Sequence, residues 1–319
     1  MGTYVNPGND GFAEILRSEY VDKTGLIGLV NEVAGTAKGL VAVTRPRRFG
    51  KSFAAEALTA YYSVGCDSRE LFDGLDVSRT PLYAEHLNAH NVVRLVMTDF
   101  LRETRKGDVV PLVEECLKAE LEAEFPDVAG AGDRLIARLL AAARATGRRF
   151  VFVIDEWDAP LRECPAEADR RSWIELLRSL FKSGAFTPEA IEAAYITGIL
   201  PIRRYDEQSA VSDFDEYTFL APGSYAPYAG FTEAEVEALA ERHGMDMAEL
   251  RAWYDGYVLE VPPGLGEGEW SSVSVYAPYS VMCACHYGHC GSYWPQTASF
   301  SSLLHYVDMD FDGLQGRIA

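Results

Sequence analysis

The chain has 319 residues, of which 48% are hydrophobic and 24% are charged, so it can bury a sizeable core and is not expected to be disordered. Its net charge of −19, from 29 Lys and Arg against 48 Asp and Glu, argues against a non-specific nucleic-acid coat, although the total leaves room for a local basic groove. No apolar run approaches the roughly 20 residues of a membrane helix, and the N-terminus carries no secretory signal, which predicts a cytoplasmic protein without a membrane partner.

Ahead of the first strand, apolar spacing predicts a short helix over residues 26–33, with Thr24 placed to cap its N-terminus. Asp22 and Lys23 precede this cap. Two interpretations of them stay open, because the two side chains are either a polar pair that holds the segment beside a bound adenine or simply exposed charges.

The next stretch has the pattern of a strand, a loop and a helix. The apolar run Leu40–Thr44 is followed by Arg45-Pro-Arg-Arg-Phe-Gly-Lys-Ser52. Gly50, Lys51 and Ser52 match the second half of a P-loop, in which backbone N–H groups surround phosphates, the Lys reaches the β and γ groups and the hydroxyl binds Mg²⁺. Arg45 stands where the general motif has its first glycine, so the match is partial. The residues assigned to ATP binding are Arg47, Arg48, Phe49, Gly50, Lys51, Ser52 and Phe53.

A second element supports this interpretation of the loop. The apolar strand Phe150–Ile154 ends in Asp155 and Glu156, which is typical of a Walker B strand that brings an acidic group to Mg²⁺. Asp155 would hold the metal through water and Glu156 would polarise the attacking water, whereas a solvated strand end is the alternative. Lys51 and Asp155 lie 104 positions apart. That distance leaves room for an inserted strand and supports Glu156 over Asp158 as the water-activating group.

Strand-like and helical segments alternate through the first two thirds of the chain. The strands are predicted at Leu40–Thr44, Asn91–Asp99, Phe150–Ile154 and Ala190–Ile196, and the longer helices between them at 109–124, 134–144 and 169–186. This alternation predicts an α/β fold, a parallel P-loop NTPase sheet of the additional-strand class with helices on both faces and the site at the carboxyl edge. Two later amphipathic helices, 232–242 and 248–254, predict a small helical lid, for which a winged-helix form is one option. We therefore expect an ATPase domain over residues 1–222 and a lid domain over 223–319.

Five motifs in a fixed order point to one family. They are Tyr20-Val-Asp-Lys-Thr24, Arg45 to Ser52, Ile154-Asp-Glu-Trp-Asp-Ala-Pro160, Thr197-Gly-Ile-Leu-Pro-Ile202 and Trp253-Tyr-Asp-Gly-Tyr257. With these motifs the chain resembles the bacterial AAA-ATPase-like family from about residue 6 to residue 313. The resemblance implies that the arginine-rich loop is the usual form there, and that relatives often carry a PD-(D/E)xK-type nuclease domain after the ATPase.

The resemblance also suggests roles for three further residues. Thr197, at the end of the fourth strand, stands where such ATPases have a sensor that touches the γ-phosphate or the lytic water, with a strand-end hydrogen bond as the equal alternative. Arg203 or Arg204 would act as an arginine finger, within the chain or across a subunit of a homo-oligomer, because such a charge stabilises the transition state. Ordinary surface arginines are the competing interpretation.

Together the motifs predict an Mg²⁺-dependent ATP hydrolase with ATP and Mg²⁺ as its cofactors. The alternative is a nucleotide-dependent switch or scaffold that hydrolyses ATP little and presents its lid to a protein or nucleic-acid partner. Glu156 favours hydrolysis, because a pure binding module has no need of it. A nuclease activity is not expected, because no segment after Gly313 is long enough for such a domain, and a natural short form and a truncation both stay open.

The cysteines give one further pattern. Six cysteines without paired spacing predict reduced thiols rather than a disulfide framework. Five of the possible zinc ligands fall within eight residues, namely Cys283, Cys285, His286, His289 and Cys290. Their spacing is not that of a known zinc finger, so small buried thiols on a helix are the favoured interpretation and a zinc site is the alternative.

Overall fold

The computed structural model describes residues 2–202, 213–261 and 269–293. The chain divides into two compact units, one of residues 1–43 and 52–216 and the other of residues 44–51 and 217–319. The domain limit expected after residue 222 stays a prediction. Within the described ranges, no helix combines the length and the apolar character that crossing a membrane requires.

A five-stranded sheet organises the larger unit. Its strands are β1 Leu40–Thr44, β2 Asn91–Val96, β3 Phe150–Asp155, β4 Ile191–Gly198 and β5 Asp215–Tyr217, in the spatial order β2-β3-β4-β1-β5. β2, β3 and β4 are paired in parallel, and every residue of β3 and β4 is buried. The parallel sheet expected from the sequence is thus confirmed, since strands buried on both faces appear in sequence as continuous apolar runs.

The strand order identifies the additional strand. β4 lies between β1, which leads into the phosphate loop, and β3, which ends in Asp155. β2, which separates these two strands in the sequence, lies at the edge of the sheet. The extra strand between the loop strand and the acidic strand is therefore supplied by a later part of the chain.

Both faces of the sheet are covered. Phe150, Phe152 and Ile154 point to one face and belong to the main hydrophobic cluster, while Val151 and Val153 point to the other face and are also fully buried. The helices of this unit are α1 Asp10–Leu16, α2 Gly25–Val33, α3 Lys51–Tyr62, α4 Arg69–Phe72, α5 Tyr83–His86, α6 Met97–Glu103, α7 Val109–Glu124, α8 Leu135–Thr146, α9 Ala159–Glu163, α10 Glu167–Phe181 and α11 Thr187–Ala190.

One strand boundary differs from its prediction. The strand expected over Asn91–Asp99 ends at Val96, because Met97 starts α6 without an intervening turn. Asp99 then lies in the first turn of α6 and forms an exposed ion pair with Arg102 at 2.7 Å. An acidic residue in this position is favourable for the helix and accounts for the early end of the strand.

The smaller unit contains helices and a second sheet. Its helices are α12 Glu233–His243, α13 Met247–Tyr254 and α14 Pro278–Tyr287, and α12 begins with the capping box Thr232 and Glu235. The strands β6 Phe231–Thr232, β7 Asp255–Val261 and β8 Ser271–Tyr276 form an antiparallel sheet in the order β6-β8-β7. The predicted helices are confirmed, and the sheet is an addition to the helical lid expected from the sequence. With α12 and α13 between β6 and β7, the connectivity is that of a winged helix.

The segment ahead of α2 has a structural explanation. The Asp22 carboxylate accepts hydrogen bonds from the Thr24 N–H at 2.8 Å, from the Thr24 hydroxyl at 2.7 Å and from the Asp76 N–H at 2.7 Å. Thr24 occupies the N-cap position of α2, but its side chain makes no capping hydrogen bond. Asp22 therefore fastens this segment to a neighbouring turn.

The five possible zinc ligands of the cysteine-rich helix are not gathered at one point in the described residues. All six cysteines of the chain are free thiols. In the described parts of the chain, no three of the ligand atoms of Cys283, Cys285, His286, His289 and Cys290 lie together as a metal-binding group. Burial also raises the pKa of the Cys290 thiol, which opposes the thiolate form that zinc requires.

Candidate functional site

The phosphate loop connects β1 to α3 and has the backbone of an anion-binding loop. Arg48 and Gly50 have positive φ angles of 67° and 75°. Left-handed residues of this kind can turn neighbouring N–H groups to one side, as anion-binding nests do. Apart from Gly50 itself and its two chain neighbours, no described residue has an atom within 4 Å of the place where a Cβ on Gly50 would be. The loop is therefore open at Gly50, the residue before the Lys-Ser pair that matches the P-loop motif.

Lys51 lies against the backbone of its own loop. Its side-chain Nζ donates hydrogen bonds to the carbonyl oxygens of Arg45 at 3.2 Å and Pro46 at 2.9 Å, and the residue is buried. Ser52 and Phe53 follow in the first turn of α3, and both are exposed. Lys51 thus places a positive charge over the loop at the start of a helix whose N–H groups also favour anions.

Arg45 is a structural residue of the loop. It is only 2% exposed, and its guanidinium donates to the carbonyl oxygens of Thr44 at 2.8 Å, Tyr217 at 3.1 Å and Tyr225 at 3.5 Å. The residue that replaces the first glycine of the general motif therefore binds backbone carbonyls inside the smaller unit.

The other two arginines of the loop differ in their surroundings. Arg48 is exposed, and its guanidinium carbon lies 4.0 Å from the centre of the Tyr279 ring. Arg47 is partly buried, and its Nε has no hydrogen-bond partner in the described parts of the chain. A buried guanidinium nitrogen that lacks a protein acceptor suits an anionic ligand.

Phe49 is a core residue of the smaller unit. It is 5% exposed, and its ring lies 5.2 Å from the ring of Phe219 and 6.1 Å from the ring of Tyr257. Tyr257 is the last residue of the Trp253–Tyr257 motif, so packing against the loop explains why that motif ends in an aromatic residue. The Phe49 side chain is therefore held in the core, and the part of Phe49 that can meet a nucleotide is its backbone.

The carboxyl ends of β3 and β4 bring two predicted site residues together. Asp155 and Thr197 are direct partners across the two strands, and both are buried, with 2% and 0% exposure. The Trp157 N–H donates to the Thr197 carbonyl at 3.0 Å. Asp155 Oδ1 and Thr197 Oγ1 are buried atoms with no hydrogen-bond partner among the residues that the structure describes. A carboxylate oxygen and a hydroxyl are the hard ligands or water acceptors that Mg²⁺ takes, so the pair fits this ion.

Glu156 and Asp158 have different environments. Glu156 has a φ of 53°, which is unusual for a residue with a side chain, and its carboxylate lies 3.4 Å from the Arg162 guanidinium. Asp158 is fully buried, and its carboxylate accepts from Arg162 Nε at 2.9 Å and from the N–H groups of Ile199 and Leu200 at 3.0 to 3.3 Å. The Asp158 carboxylate thus holds the backbone of Ile199 and Leu200 in place, whereas the Glu156 side chain stays partly exposed.

Arg162 and Gly198 are parts of this site that the sequence motifs did not predict. Arg162 binds both carboxylates of the turn after β3, and its distance of four residues from Asp158 along α9 is the available signal. Gly198 has a backbone packed so closely that a Cβ would lie 2.6 Å from Asp158 Oδ1 and 2.8 Å from two atoms of the Trp157 ring. The glycine of the Thr197–Ile202 motif is therefore required by this close approach. Arg203 and Arg204 lie outside the described residues.

A relative from Azotobacter chroococcum mcd 1, described as "Uncharacterized protein in vnfD 5'region", is 26% identical over 311 residues. The match covers 92% of this chain and 54% of the relative, so the chain spans about half of that protein's length.

Two solved structures are also similar. The Walker-type ATPase PABY2304 of Pyrococcus abyssi has a TM-score of 0.42 and 12% identity over 74% of this chain and 64% of that chain. The ORC2 protein of Aeropyrum pernix has a TM-score of 0.38 and 10% identity over 70% of this chain and 53% of that chain. The profile of a family described as "Predicted AAA-ATPase" matches residues 8–206, which is more than half of the sequence. The chain therefore belongs to the predicted AAA-ATPase family.

Proposed function

We propose that this chain binds ATP together with Mg²⁺ and hydrolyses it. The observation that carries the proposal is a pair of buried, unpartnered oxygens at the ends of β3 and β4, namely Asp155 Oδ1 and Thr197 Oγ1. Glu156 follows Asp155 directly in the chain. Unpaired buried oxygens are costly in a folded protein, and a ligand that satisfies them explains why they are kept. Lys51 and Ser52 would hold the phosphates and the metal from the loop.

The residues of the chain would divide the chemistry as follows. Bound Mg²⁺ supplies charge neutralisation of the phosphate oxygens. Asp155 would hold the metal through water, and the Thr197 hydroxyl would donate to the γ-phosphate or to the attacking water. Glu156 would accept a proton from that water. Its carboxylate must then turn away from Arg162, or bind the water with one oxygen while the other stays paired with Arg162. Arg47 would neutralise phosphate charge through its buried Nε.

A second candidate is a nucleotide-dependent switch with little hydrolysis. Two contacts favour it: the Glu156 carboxylate is ion-paired with Arg162, and the loop residue Phe49 is part of the core of the smaller unit. A loop that changes on binding phosphate would then disturb that core. The exposed residues of α12 and α13 include Glu237, Glu241 and Glu249. Arg242 and Arg251 on the same helices are also exposed, so this surface carries both signs of charge, and the switch would present it to a protein or nucleic-acid partner.

The test measures nucleotide binding and ATP turnover with Mg²⁺ for the wild type, Lys51→Ala and Glu156→Gln. The matched controls are Lys38→Ala and Glu167→Gln, which make the same changes at exposed positions. Lys51→Ala should lose binding, and Glu156→Gln should bind but turn over at least about 100-fold more slowly, because general bases contribute about 10²–10⁴-fold.

The outcomes separate the two candidates. Wild-type binding with turnover that depends on Glu156 supports the hydrolase. Binding without turnover in the wild type supports the switch, and an absence of binding would show that the loop assignment is wrong.

Assembly and location complete the proposal. A homo-oligomer in which Arg203 or Arg204 reaches a neighbouring subunit stays a prediction, and turnover per chain that does not change on dilution would contradict it. A cytoplasmic location is supported by the six free thiols, since reducing compartments keep cysteines unpaired.

A further inference from the structure

A second group of metal-binding side chains lies in the larger unit, near the starts of β2 and β4 and away from their carboxyl ends. His86 ends α5, His90 directly precedes β2, and Glu192 is the second residue of β4. One ligand atom from each lies within 4.8 Å of the other two, and His86 Nδ1 and His90 Nε2 are only 2.9 Å apart. We propose that His86, His90 and Glu192 bind one transition-metal ion, for which zinc is the best-suited candidate.

The donor set favours zinc. Two imidazole nitrogens and one carboxylate oxygen form a common three-ligand zinc set, with water in the fourth position. Tetrahedral bonds of about 2.0–2.1 Å place two ligand nitrogens about 3.4 Å apart. The observed 2.9 Å separation of His86 and His90 is about 0.5 Å shorter than this, so the two rings must move apart and turn their nitrogens toward the ion. Without a metal, one ring must donate its N–H to the other.

The two histidines are held before any metal binds. The backbone N–H of His90 donates to the Tyr62 carbonyl at 3.1 Å, and the backbone carbonyl of His90 accepts from the Val64 N–H at 3.0 Å. The Tyr62 ring packs edge-on against both imidazoles, at 6.3 Å from His86 and 5.7 Å from His90. His86 is buried and His90 is partly buried, so little side-chain freedom is lost when they bind.

The carboxylate has the partner that metal ligands usually have. Glu192 is 8% exposed and accepts from the Arg149 guanidinium at 2.6 Å. Such second partners orient metal-binding carboxylates and leave one oxygen for the ion. Gly35 lies beside them, because a Cβ there would be 2.9 Å from Glu192 Oε1 and 2.8 Å from Arg149. The positive charge of Arg149 opposes a cation, so we expect an affinity below that of a structural zinc finger.

A bound ion would join two parts of the fold. His86 and His90 belong to the segment that crosses from α5 into β2, and Glu192 belongs to the central strand β4. The site would therefore fasten the α5 segment to the sheet. It is independent of the proposed ATP site, since it shares no residue with it.

The experiment uses the full chain, stripped with a chelator and titrated with Zn²⁺ in excess Mg²⁺ and without nucleotide. To remove the competing cysteine-rich helix, the titration is repeated in Cys283→Ser/Cys290→Ser. We expect one zinc per chain in both proteins, and a loss of affinity of more than ~100-fold in His90→Gln, because even second partners of metal ligands contribute about 10–100-fold. His243→Gln, at an exposed histidine, is the matched control and should bind as the wild type does.

A second measurement covers variants that fold poorly. Zinc X-ray absorption of the wild-type complex should report nitrogen and oxygen neighbours at about 2.0–2.1 Å, whereas sulfur at about 2.3 Å would assign the ion to the cysteine-rich helix and overturn the proposal. Unchanged zinc affinity in His90→Gln, or no retained zinc in the wild type, would also overturn it.

Discussion

Replacing Asp158 by Asn removes a charge from a carboxylate that the fold buries completely. The carboxylate accepts from Arg162 Nε at 2.9 Å and from the N–H groups of Ile199 and Leu200 at 3.0 to 3.3 Å. An Asn side chain offers one oxygen and turns an NH₂ group toward the remaining donors. We therefore expect Asp158→Asn to destabilise the turn after β3 and the segment after β4 together.

The magnitude follows from these contacts. A hydrogen bond to a charged group contributes about 1.5–3 kcal/mol, and breaking a buried ion pair costs about 3–5 kcal/mol. Asn keeps one acceptor and has the shape of Asp, so part of the network survives. The free energy of unfolding should fall by about 2–4 kcal/mol.

Urea unfolding followed by tryptophan fluorescence measures this change, because Trp157 is fully buried next to Asp158. The matched control is Asp99→Asn, whose carboxylate is exposed and paired with the exposed Arg102. That control should change the free energy by less than about 0.5 kcal/mol. An Asp158→Asn protein as stable as the Asp99→Asn protein would refute the reasoning that the buried carboxylate holds these two segments.

Three further variants test separate parts of the fold. Gly198→Ala should cost about 1–3 kcal/mol of stability in urea unfolding, because its Cβ would lie 2.8 Å from two atoms of the buried Trp157 ring; no change would show that the ring moves aside. Phe49→Ala should destabilise the protein by about 3–5 kcal/mol, as truncation of a buried Phe does, and a loss below 1 kcal/mol would contradict its place in the core. Glu120→Gln should cost about 1–2 kcal/mol, since the carboxylate accepts from three successive N–H groups of residues 3–5 at 2.7 to 2.9 Å; amide exchange of those groups should rise, and unchanged exchange would argue against the contact.

The sheet of the larger unit could be predicted from sequence for a physical reason. β1, β3 and β4 are buried along their whole length, so each strand is a mostly apolar run that polarity alone reveals, although β4 includes the buried Glu192. β5 has three partly buried residues, Asp215–Tyr217, and carries no such run. A short, half-exposed strand is defined by its neighbour in the sheet rather than by its own composition.

The second sheet was missed although a signal existed. Tyr257-Val-Leu-Glu-Val261 and Ser271-Ser-Val-Ser-Val-Tyr276 flank a loop rich in Pro and Gly, which is the pattern of a β-hairpin. The strands pair as β7 and β8. β8 has exposed residues at its start and buried ones at its end, so its burial does not alternate from residue to residue. Its strand pattern is therefore weaker than the helical periodicity of the neighbouring segments.

The directions of the side chains in the phosphate loop could not be predicted from the motif. The spacing of the loop correctly predicts that β1 ends at Thr44, and α3 begins at Lys51, inside the loop expected to run to Ser52. It cannot say that Arg45 and Phe49 point into the smaller unit, because their partners Tyr217, Tyr225 and Phe219 come more than 160 residues later. Long-range partners decide the direction of a loop side chain, and no local pattern contains them.

The turn after β3 and the segment after β4 are held together by hydrogen bonds and close packing. Thr197 accepts the Trp157 N–H, Asp158 accepts the N–H groups that follow Gly198, and Gly198 leaves no room between them. A displacement of the Thr197 end of β4 must therefore move the turn that carries Glu156, because interiors packed this closely transmit strain instead of absorbing it. The residue proposed to contact the γ-phosphate and the residue proposed to activate water are thus positioned by the same set of hydrogen bonds.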